Sequence, residues 1–177
     1  YFNNYYTTVG IGNTSDAEFT TLTGLYPTGY NYTVFEYADA EYQALPKLFK
    51  EAGYTTFSSH ANTETFYERF RLHPQLYGFD YHIGKENLML NQDGFIHSWL
   101  NDEDFLKQSI DQMVIASEDG PVLNFAITIS CHMPYLVPNE SINKENWFPN
   151  KENIFPKDFA LVRGSLNAQL LGYLEHI

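Results

Sequence analysis

The chain has 177 residues, the length of one ordinary domain, with 22 acidic and 10 basic side chains and a formal charge of −12 at pH 7. This acidic surplus argues against general nucleic-acid binding, which needs Lys and Arg at the phosphates, and it gives no attraction to anionic membranes. Aromatic residues make up 17% of the chain and charged residues only 18%. That composition excludes a disordered tail and predicts a chain that folds.

A single cysteine, Cys131, excludes an intrachain disulfide and a zinc site built from thiolates. It does not decide the compartment, because both a reducing cytosol and a bacterial surface without disulfides fit one thiol. The sequence contains no signal peptide and no apolar run of the roughly 18 residues that span a membrane. Because the chain begins without Met and stops inside a predicted helix, we expect the domain to be incomplete at both ends.

Strand and helix patterns alternate along the sequence. Ser15 and Glu18 have the spacing of a capping box, which predicts a helix that begins there and ends near Gly24. Pro46 fits a second helix only if its first turn begins near Leu45. The other predicted elements are strands at 1–9, 54–58, 79–83 and 122–129, helices at 39–52, 63–70 and 101–116, a long loop at 138–157 and a final helix from about residue 158.

This alternation predicts an α/β fold with a mainly parallel sheet flanked by helices. The strand at 122–129 is almost entirely apolar, as expected for a central strand covered on both faces. Ligands of such sheets bind beyond the carboxyl ends of the strands. Three polar residues, Thr14, His60 and His132, follow three separate predicted strands and are therefore expected at one edge of the sheet.

Thr14 precedes the predicted cap at the positive end of a helix, where free N–H groups favour an anion or an alkoxide forming on the threonine oxygen. Gly10 and Gly12 carry no side chains, so a phosphate has room to approach the backbone. The alternative is that two glycines and a capping residue form an ordinary turn into a helix.

His60, Tyr67 and Arg69 form a second candidate group, in which Arg69 offers a fork for phosphate oxygens and His60 a neutral donor or acceptor. Alternatively, Arg69 belongs to a solvated basic face and Tyr67 to the packing. His132 ends the most apolar strand and is either functional or satisfied by a backbone carbonyl. The remaining histidines have no metal spacing and are predicted to be surface or packing residues; they are His73, His82, His97 and His176.

Three segments resemble the lipoteichoic acid synthases, of the sulfatase-like branch of the alkaline phosphatase superfamily. They are GIGNTSDAEF at 10–19 followed by GLYP at 24–27, HANTETFYER at 60–69, and ITISCHMPY at 127–135. The segments occur in the order of that family with comparable spacing. The resemblance implies an alkaline phosphatase/sulfatase-like fold, with residues 1–177 as the central part of one catalytic domain.

The resemblance implies that Thr14 is both the catalytic nucleophile and a metal ligand. It implies that His60, Tyr67, Arg69 and His132 bind the phosphate and glycerol of the substrate. The cofactor would be a divalent metal, commonly Mn²⁺ with Mg²⁺ or Zn²⁺ as alternatives, and its other ligands are expected outside this chain.

The implied reaction is a metal-dependent transfer of glycerophosphate through a threonine-linked intermediate. The donor would be phosphatidylglycerol and the acceptor a glycolipid or a growing lipoteichoic acid chain, with no nucleic acid among the partners. The implied place is the extracellular face of a bacterial cell membrane, reached through membrane segments outside this chain. We expect the isolated chain to bind Mn²⁺ weakly and to turn nothing over.

Two positions depart from the family pattern, since Asn13 replaces a common Lys and Tyr67 replaces a Trp. These departures leave open another head group or acceptor. The alternatives are a sulfatase, a phosphodiesterase or a phosphoethanolamine transferase on the same scaffold, or a non-catalytic binding domain of the cell envelope. Thr14 disfavours a true sulfatase, whose nucleophile is a modified Cys or Ser.

Overall fold

The structure is a computed structural model that describes residues 8–90, 95–96, 99–130 and 132. Residues 1–7 of the first predicted strand, Cys131, the long loop and the final helix lie outside the described residues. The helices are α1 (Thr14–Thr23), α2 (Thr33–Glu36), α3 (Leu45–Glu51), α4 (Arg69–Leu72) and α5 (Asp102–Ala116). The strands are β1 (Thr55–His60), β2 (Tyr81–Ile83), β3 (Phe95–Ile96), β4 (Trp99–Leu100) and β5 (Val122–Ile127).

The main described sheet has three strands in the order β2-β1-β5, and both pairings are parallel. His60, the last residue of β1, is in register with Ile127, the last residue of β5. The carboxyl ends of these two strands therefore lie side by side, as expected from the alternating pattern. β3 and β4 form a separate antiparallel pair.

Among the described strands, β1 lies between the other two, and β5 pairs with β1 on one side. The prediction that the 122–129 strand is central stays a prediction, because most of the predicted strand at 1–9 lies outside the described residues. Five of the six β1 residues are buried, whereas those of β5 are mostly half-buried. The position of β1 between two strands was not predicted, because Ser58, Ser59 and His60 make this strand polar. Hydrogen bonds compensate their burial: Ser58 pairs with His73 and His82, Ser59 with Ser109, and His60 with the Ile127 carbonyl.

The side chains of β1 alternate between two layers, as the pleat of a strand requires. Phe57 belongs to an apolar core that it shares with Leu100 and with Phe105 of α5, and Ser59 Oγ lies 2.9 Å from Ser109 Oγ of α5. The opposite face of β1 lies under a second core. Its buried members are Phe19, Leu22, Val34, Ala44, Leu72, Leu76, Tyr77 and Phe79. Helices thus flank the sheet on both faces, which confirms the predicted α/β architecture.

Helix boundaries follow local chemistry where a cap or a proline fixes them. The predicted helix at 39–52 is wrong in its start, because α3 begins at Leu45 with Pro46 in its first turn, where the proline fits. The Asn101 side chain caps α5 by accepting from the Asp104 N–H at 2.8 Å. No helix within the described ranges is long and apolar enough to cross a membrane.

The segment after β1 is more irregular than the predicted helix at 63–70. A 3₁₀ turn (Phe66–Glu68) leads into α4 and then into a π-helical turn (His73–Tyr77) that ends at Gly78. Tyr67 and Glu68 both have positive φ, at 54° and 49°. Left-handed geometry costs about 1–3 kcal/mol at a bulky residue, and residues held in it cluster at active sites and ligand-binding sites.

Candidate active site

Thr14 is the first residue of α1, and its side chain is exposed to solvent. The capping-box prediction is wrong, because Ser15 Oγ donates to the Gly12 carbonyl at 2.8 Å and Glu18 binds elsewhere. The N-cap position is occupied by Asn13, and no side chain of the described residues caps the helix. Asn13 has φ 48° and ψ −114°, a sparsely populated backbone conformation for a residue with a side chain.

The glycine turn before α1 is fixed by Asp16 instead of holding open an anion site. Asp16 Oδ2 accepts from the Gly10 N–H at 2.8 Å and from the Gly12 N–H at 3.1 Å. A side chain at Gly12 would collide with this carboxyl group, and one at Gly10 would collide with the backbone of Gly29. The two glycines therefore allow the close packing that places Thr14, and their amides are already bonded within the protein.

His60 stands at the carboxyl end of β1 with 4% of its surface exposed. Its Nδ1 lies 2.7 Å from the Ile127 carbonyl oxygen, which can only accept, so Nδ1 carries the proton. Burial, together with the charge of Arg69, lowers the pKa of His60 to about 4 against the opposing bond to Ile127. At neutral pH the ring is therefore uncharged, and its Nε2 is an acceptor suited to a hydroxyl.

Arg69 is buried, with 1% of its surface exposed, and is not part of a solvated basic face. Its Nε and Nη2 donate to the Glu18 carboxylate at 3.2 and 2.5 Å. The guanidinium carbon lies 5.1 Å from the centre of the Tyr67 ring and 5.5 Å from that of Phe66. This two-bonded pair with an aromatic cover holds the guanidinium in one orientation.

Tyr67 belongs to a half-exposed aromatic group beside Arg69. Its ring centre lies 4.4 Å from that of Phe66 and 5.8 Å from that of Tyr32, which precedes α2. Burial raises the pKa of Tyr67, and the neighbouring Tyr32 adds to the shift. The hydroxyl therefore stays protonated at physiological pH and can serve as a hydrogen-bond donor.

Glu18 also begins a buried chain of polar groups that runs along one face of the sheet, from β1 to β2. His73 Nε2 lies 3.0 Å from Glu18 Oε2, His73 Nδ1 lies 2.8 Å from Ser58 Oγ, and Ser58 Oγ lies 2.8 Å from His82 Nδ1. Because the Glu18 carboxylate can only accept, His73 donates to Glu18, Ser58 donates to His73, and His82 donates to Ser58. Burial lowers the pKa values of both histidines, to about 3 for His82, so the chain is made of neutral rings.

Sequence analysis missed this chain, since His73 and His82 were predicted to be surface or packing residues. Glu18 was assigned to a local cap, although it shares a helix face with Leu22, four residues later in the apolar stripe. A carboxylate on the buried face of a helix requires a partner, and that requirement was the available signal.

His132 lies beyond β5, near an anchored turn. Its ring packs edge-to-face against the Trp99 ring, with 5.4 Å between the ring centres. The backbone N–H of His132 donates to the Ile129 carbonyl at 2.9 Å. Asp102 Oδ1 accepts from the N–H groups of Ile129 and Ser130 at 2.7 and 3.0 Å. The start of α5 thus anchors the chain just before His132, whose side chain is exposed.

Four of the five predicted site residues form two pairs. His60 ends β1 and His132 lies beyond the neighbouring end of β5. Tyr67 contacts Arg69 directly. Glu18 lies one helical turn, about 6 Å, after Thr14 on the same face of α1, so its bonds to Arg69 join the Thr14 helix to this group. The functional roles of all five residues stay predictions.

The described residues do not provide a complete metal site. Thr14 offers one exposed hydroxyl, whereas a divalent ion needs about four to six donors. Within the described part of the chain, no group of three or more His, Cys, Asp or Glu side chains is placed to hold a metal ion. Asp16 is fully buried and engaged with the glycine turn, so it is not an accessible second ligand.

Comparison with known proteins agrees with the motifs. The sulfatase family model matches residues 1–173. The chain is 33% identical over 151 residues to the lipoteichoic acid synthase of Staphylococcus saprophyticus, covering 82% of this chain and 23% of that protein. It is 30% identical over 135 residues to lipoteichoic acid synthase 2 of Bacillus subtilis, covering 76% and 20%. The chain thus spans about a quarter or less of the length of these curated relatives.

Two solved structures share the fold. The lipoteichoic acid synthase LtaP from Listeria monocytogenes matches with a TM-score of 0.75 and 23% identity, over 98% of this chain and 42% of that one. A protein of the alkaline phosphatase superfamily from Vibrio parahaemolyticus matches with a TM-score of 0.68 and 21% identity, over 97% and 40%. The chain therefore belongs to the sulfatase family, has the fold of the alkaline phosphatase superfamily, and has lipoteichoic acid synthases among its relatives.

Proposed function

We propose that the protein is a phosphoglycerol transferase that moves glycerophosphate from phosphatidylglycerol to a glycolipid or a growing lipoteichoic acid chain. Residues 1–177 would be the central part of its catalytic domain. The observation that carries the proposal is the placement of Thr14, exposed at the start of α1 and one turn before the residue that binds Arg69. The similarity to relatives named as lipoteichoic acid synthases supports the choice of substrate.

In the proposed first step, Thr14 Oγ attacks the phosphorus of phosphatidylglycerol. A bond forms from Oγ to phosphorus, the bond from phosphorus to the diacylglycerol oxygen breaks, and the threonine proton leaves for solvent or for the departing oxygen. In the second step, the oxygen of an acceptor hydroxyl attacks the same phosphorus, the bond from phosphorus to Thr14 Oγ breaks, and Oγ regains a proton as the acceptor hydroxyl loses one. The guanidinium of Arg69 would bind phosphate oxygens, while Tyr67, neutral His60 and His132 would bind the glycerol.

Members of this superfamily typically use divalent metals, and we propose Mn²⁺ here, with Mg²⁺ and Zn²⁺ as alternatives. Thr14 would be one ligand, and the other ligands would come from outside the described residues. A bound cation would lower the pKa of the threonine hydroxyl. We propose the extracellular face of a bacterial membrane as the place of the reaction, because of the similarity to lipoteichoic acid synthases.

Substitution of Thr14 tests the proposal. In the full-length protein, Thr14→Ala should abolish the release of diacylglycerol from phosphatidylglycerol. Thr21→Ala is the matched control, because Thr21 is exposed on the same helix and donates only to the Ala17 carbonyl. Release by Thr14→Ala at the wild-type rate would contradict the proposal and favour a binding domain. Release of a different head group by the wild type would identify one of the alternative transferases.

A further inference from the structure

The carboxylate of Glu18 is buried and hydrogen bonded within the protein. Its carboxylate is 5% exposed and accepts three N–H groups, two from Arg69 and one from His73. Burial alone would raise the pKa of Glu18, but the His73 bond and the charge and bonds of Arg69 outweigh it and lower the pKa to about 2. The carboxylate is therefore ionised at physiological pH, and its pair with Arg69 is an ion pair.

The same pair leaves one nitrogen of Arg69 unused. Nη1 is buried and has no hydrogen-bond partner among the described residues. Leaving such a donor unpaired costs about 1–3 kcal/mol, so a stable site normally gives it an acceptor. Arg69 and Tyr67 line a small cavity together with Ser15, the residue after Thr14, and with core residues that include Tyr77, whose buried hydroxyl also has no partner among the described residues. Its volume of about 10 Å³ is close to the minimum for one water molecule or one oxygen of a ligand.

The orientation of Nη1 depends on Glu18, because the guanidinium is planar and two of its nitrogens are bonded to one carboxylate. Rotation of the group would break both bonds at once. His73 bonds Glu18 from a third direction, and Ser58 in turn bonds His73. The carboxylate is thereby tied to β1, the central strand of the described sheet.

We propose that Glu18 is a positioning residue that presents Arg69 Nη1 to a phosphate oxygen of the substrate. The inference rests on the proposed function, in which Arg69 binds that phosphate. Because Glu18 lies one turn after Thr14 on α1, the same carboxylate connects the helix that carries Thr14 to Arg69, the hydrogen-bond donor for the phosphate. A movement of α1 would therefore shift both groups together.

The test is a double-mutant cycle in the full-length protein. Binding of glycerol phosphate would be measured by calorimetry, together with KM and kcat for phosphatidylglycerol. Glu18→Gln should weaken binding by about 10- to 100-fold, the range expected when a charge-assisted hydrogen bond is lost. In an Arg69→Gln background the same change should have little further effect, because the residue that Glu18 orients is already absent.

Glu68→Gln is the matched control. Glu68 also accepts from Nε and Nη2 of an arginine, Arg71, at 2.8 and 2.6 Å, but that pair is exposed and lies outside the site. The control should bind like the wild type. If Glu18→Gln does not fold, Glu18→Asp keeps the charge while withdrawing the carboxylate by one methylene, and it should show a smaller loss in the same direction.

The outcomes separate the two proposals. Failure of the wild type to bind glycerol phosphate or to use phosphatidylglycerol would overturn the proposed function, and this inference with it. Wild-type binding accompanied by unchanged binding in folded Glu18→Gln would overturn the inference alone. Equal losses from Glu18→Gln with and without Arg69 would also overturn it, since Glu18 would then act independently of Arg69.

Discussion

Asp102 and Ser130 hold each other by reciprocal hydrogen bonds. The Asp102 N–H donates to Ser130 Oγ at 2.8 Å, and the Ser130 N–H donates to Asp102 Oδ1 at 3.0 Å. Both residues are buried, and the contact joins the first residue of α5 to the chain just before His132. The helix start therefore fixes the backbone from which a predicted substrate-binding histidine projects.

Asp102→Ala should reduce both stability and substrate affinity. The variant leaves the Ile129 and Ser130 N–H groups unpaired in a buried place, which costs about 1–3 kcal/mol. It also frees the backbone before His132, so KM should rise by more than the loss of folded protein explains. Urea denaturation and steady-state kinetics of the full-length protein would measure both effects.

Asp111→Ala supplies the control for this prediction. Asp111 is an exposed acidic residue on the same helix, so its removal changes the net charge equally without touching the β5 end. An Asp102→Ala variant with the stability and KM of Asp111→Ala would show that the anchored turn does not position His132.

Protonation of buried histidines should make the fold sensitive to acid. The folded-state pKa values of His60 and His82 are lowered from 6.5 to about 4 and about 3. The unfolded chain therefore binds protons first, and stability should fall as the pH drops below about 6.5. Glu18, with a folded pKa lowered to about 2, adds a further loss between about pH 4.5 and 2.

His82→Asn isolates one part of this dependence. Asn keeps a donor near the position of Nδ1 for Ser58 but does not titrate. Between pH 6 and 4 the slope of unfolding free energy against pH should decrease by up to ~1.4 kcal/mol per pH unit, the value for one proton. Denaturant titrations across this range would measure it. An unchanged slope would mean that His82 is protonated in the folded protein.

His60→Asn should weaken substrate binding with little loss of stability. Asn can keep the bond to the Ile127 carbonyl through its side-chain amide while removing Nε2, the proposed acceptor for a substrate hydroxyl. His60→Ala removes both and should also destabilise the fold by about 1–3 kcal/mol. Comparing KM and thermal midpoint for the two variants separates the roles. Wild-type KM in His60→Asn would exclude Nε2 from substrate binding.

Tyr67→Trp should retain activity, whereas Tyr67→Ala should raise KM several-fold. The Tyr67 ring is half-exposed between Phe66 and Tyr32, so a larger ring has room towards solvent and can still cover Arg69. Alanine uncovers the guanidinium and removes the cation–π contact, worth about 0.5–2 kcal/mol. Equal kinetics in Tyr67→Ala and the wild type would assign this ring to packing alone.

Local signals predicted much of the fold. Asn101 identified the start of α5, Pro46 fixed the start of α3, and Gly24 ended α1 with a φ of 73°. Each of these rules concerns residues within one helical turn of each other, so the local sequence is enough to predict where the helix begins or ends. The parallel sheet followed from alternation of strands and helices, although the identity of its central described strand did not.

Long-range partners escaped prediction because no local rule encodes them. Glu18 and Arg69 are 51 residues apart in the sequence. The Ser-x-x-Glu spacing instead led to the wrong prediction that Glu18 caps its own helix. The positive φ of Tyr67 depends on the packing around it, since its sequence neighbours include no glycine. The candidate site residues were found through a resemblance and strand-end position, whereas the groups that orient them required coordinates.

Detection of the covalent intermediate on Thr14 would test the proposed reaction most directly. The full-length protein would be mixed with phosphatidylglycerol without acceptor, quenched in acid, digested and examined by mass spectrometry. A glycerophosphoryl group is expected on the peptide that contains Thr14, and it should be absent from Thr14→Ala. A modified peptide elsewhere in the protein, or transfer to acceptor with no modified Thr14 at any time during turnover, would contradict the proposed reaction.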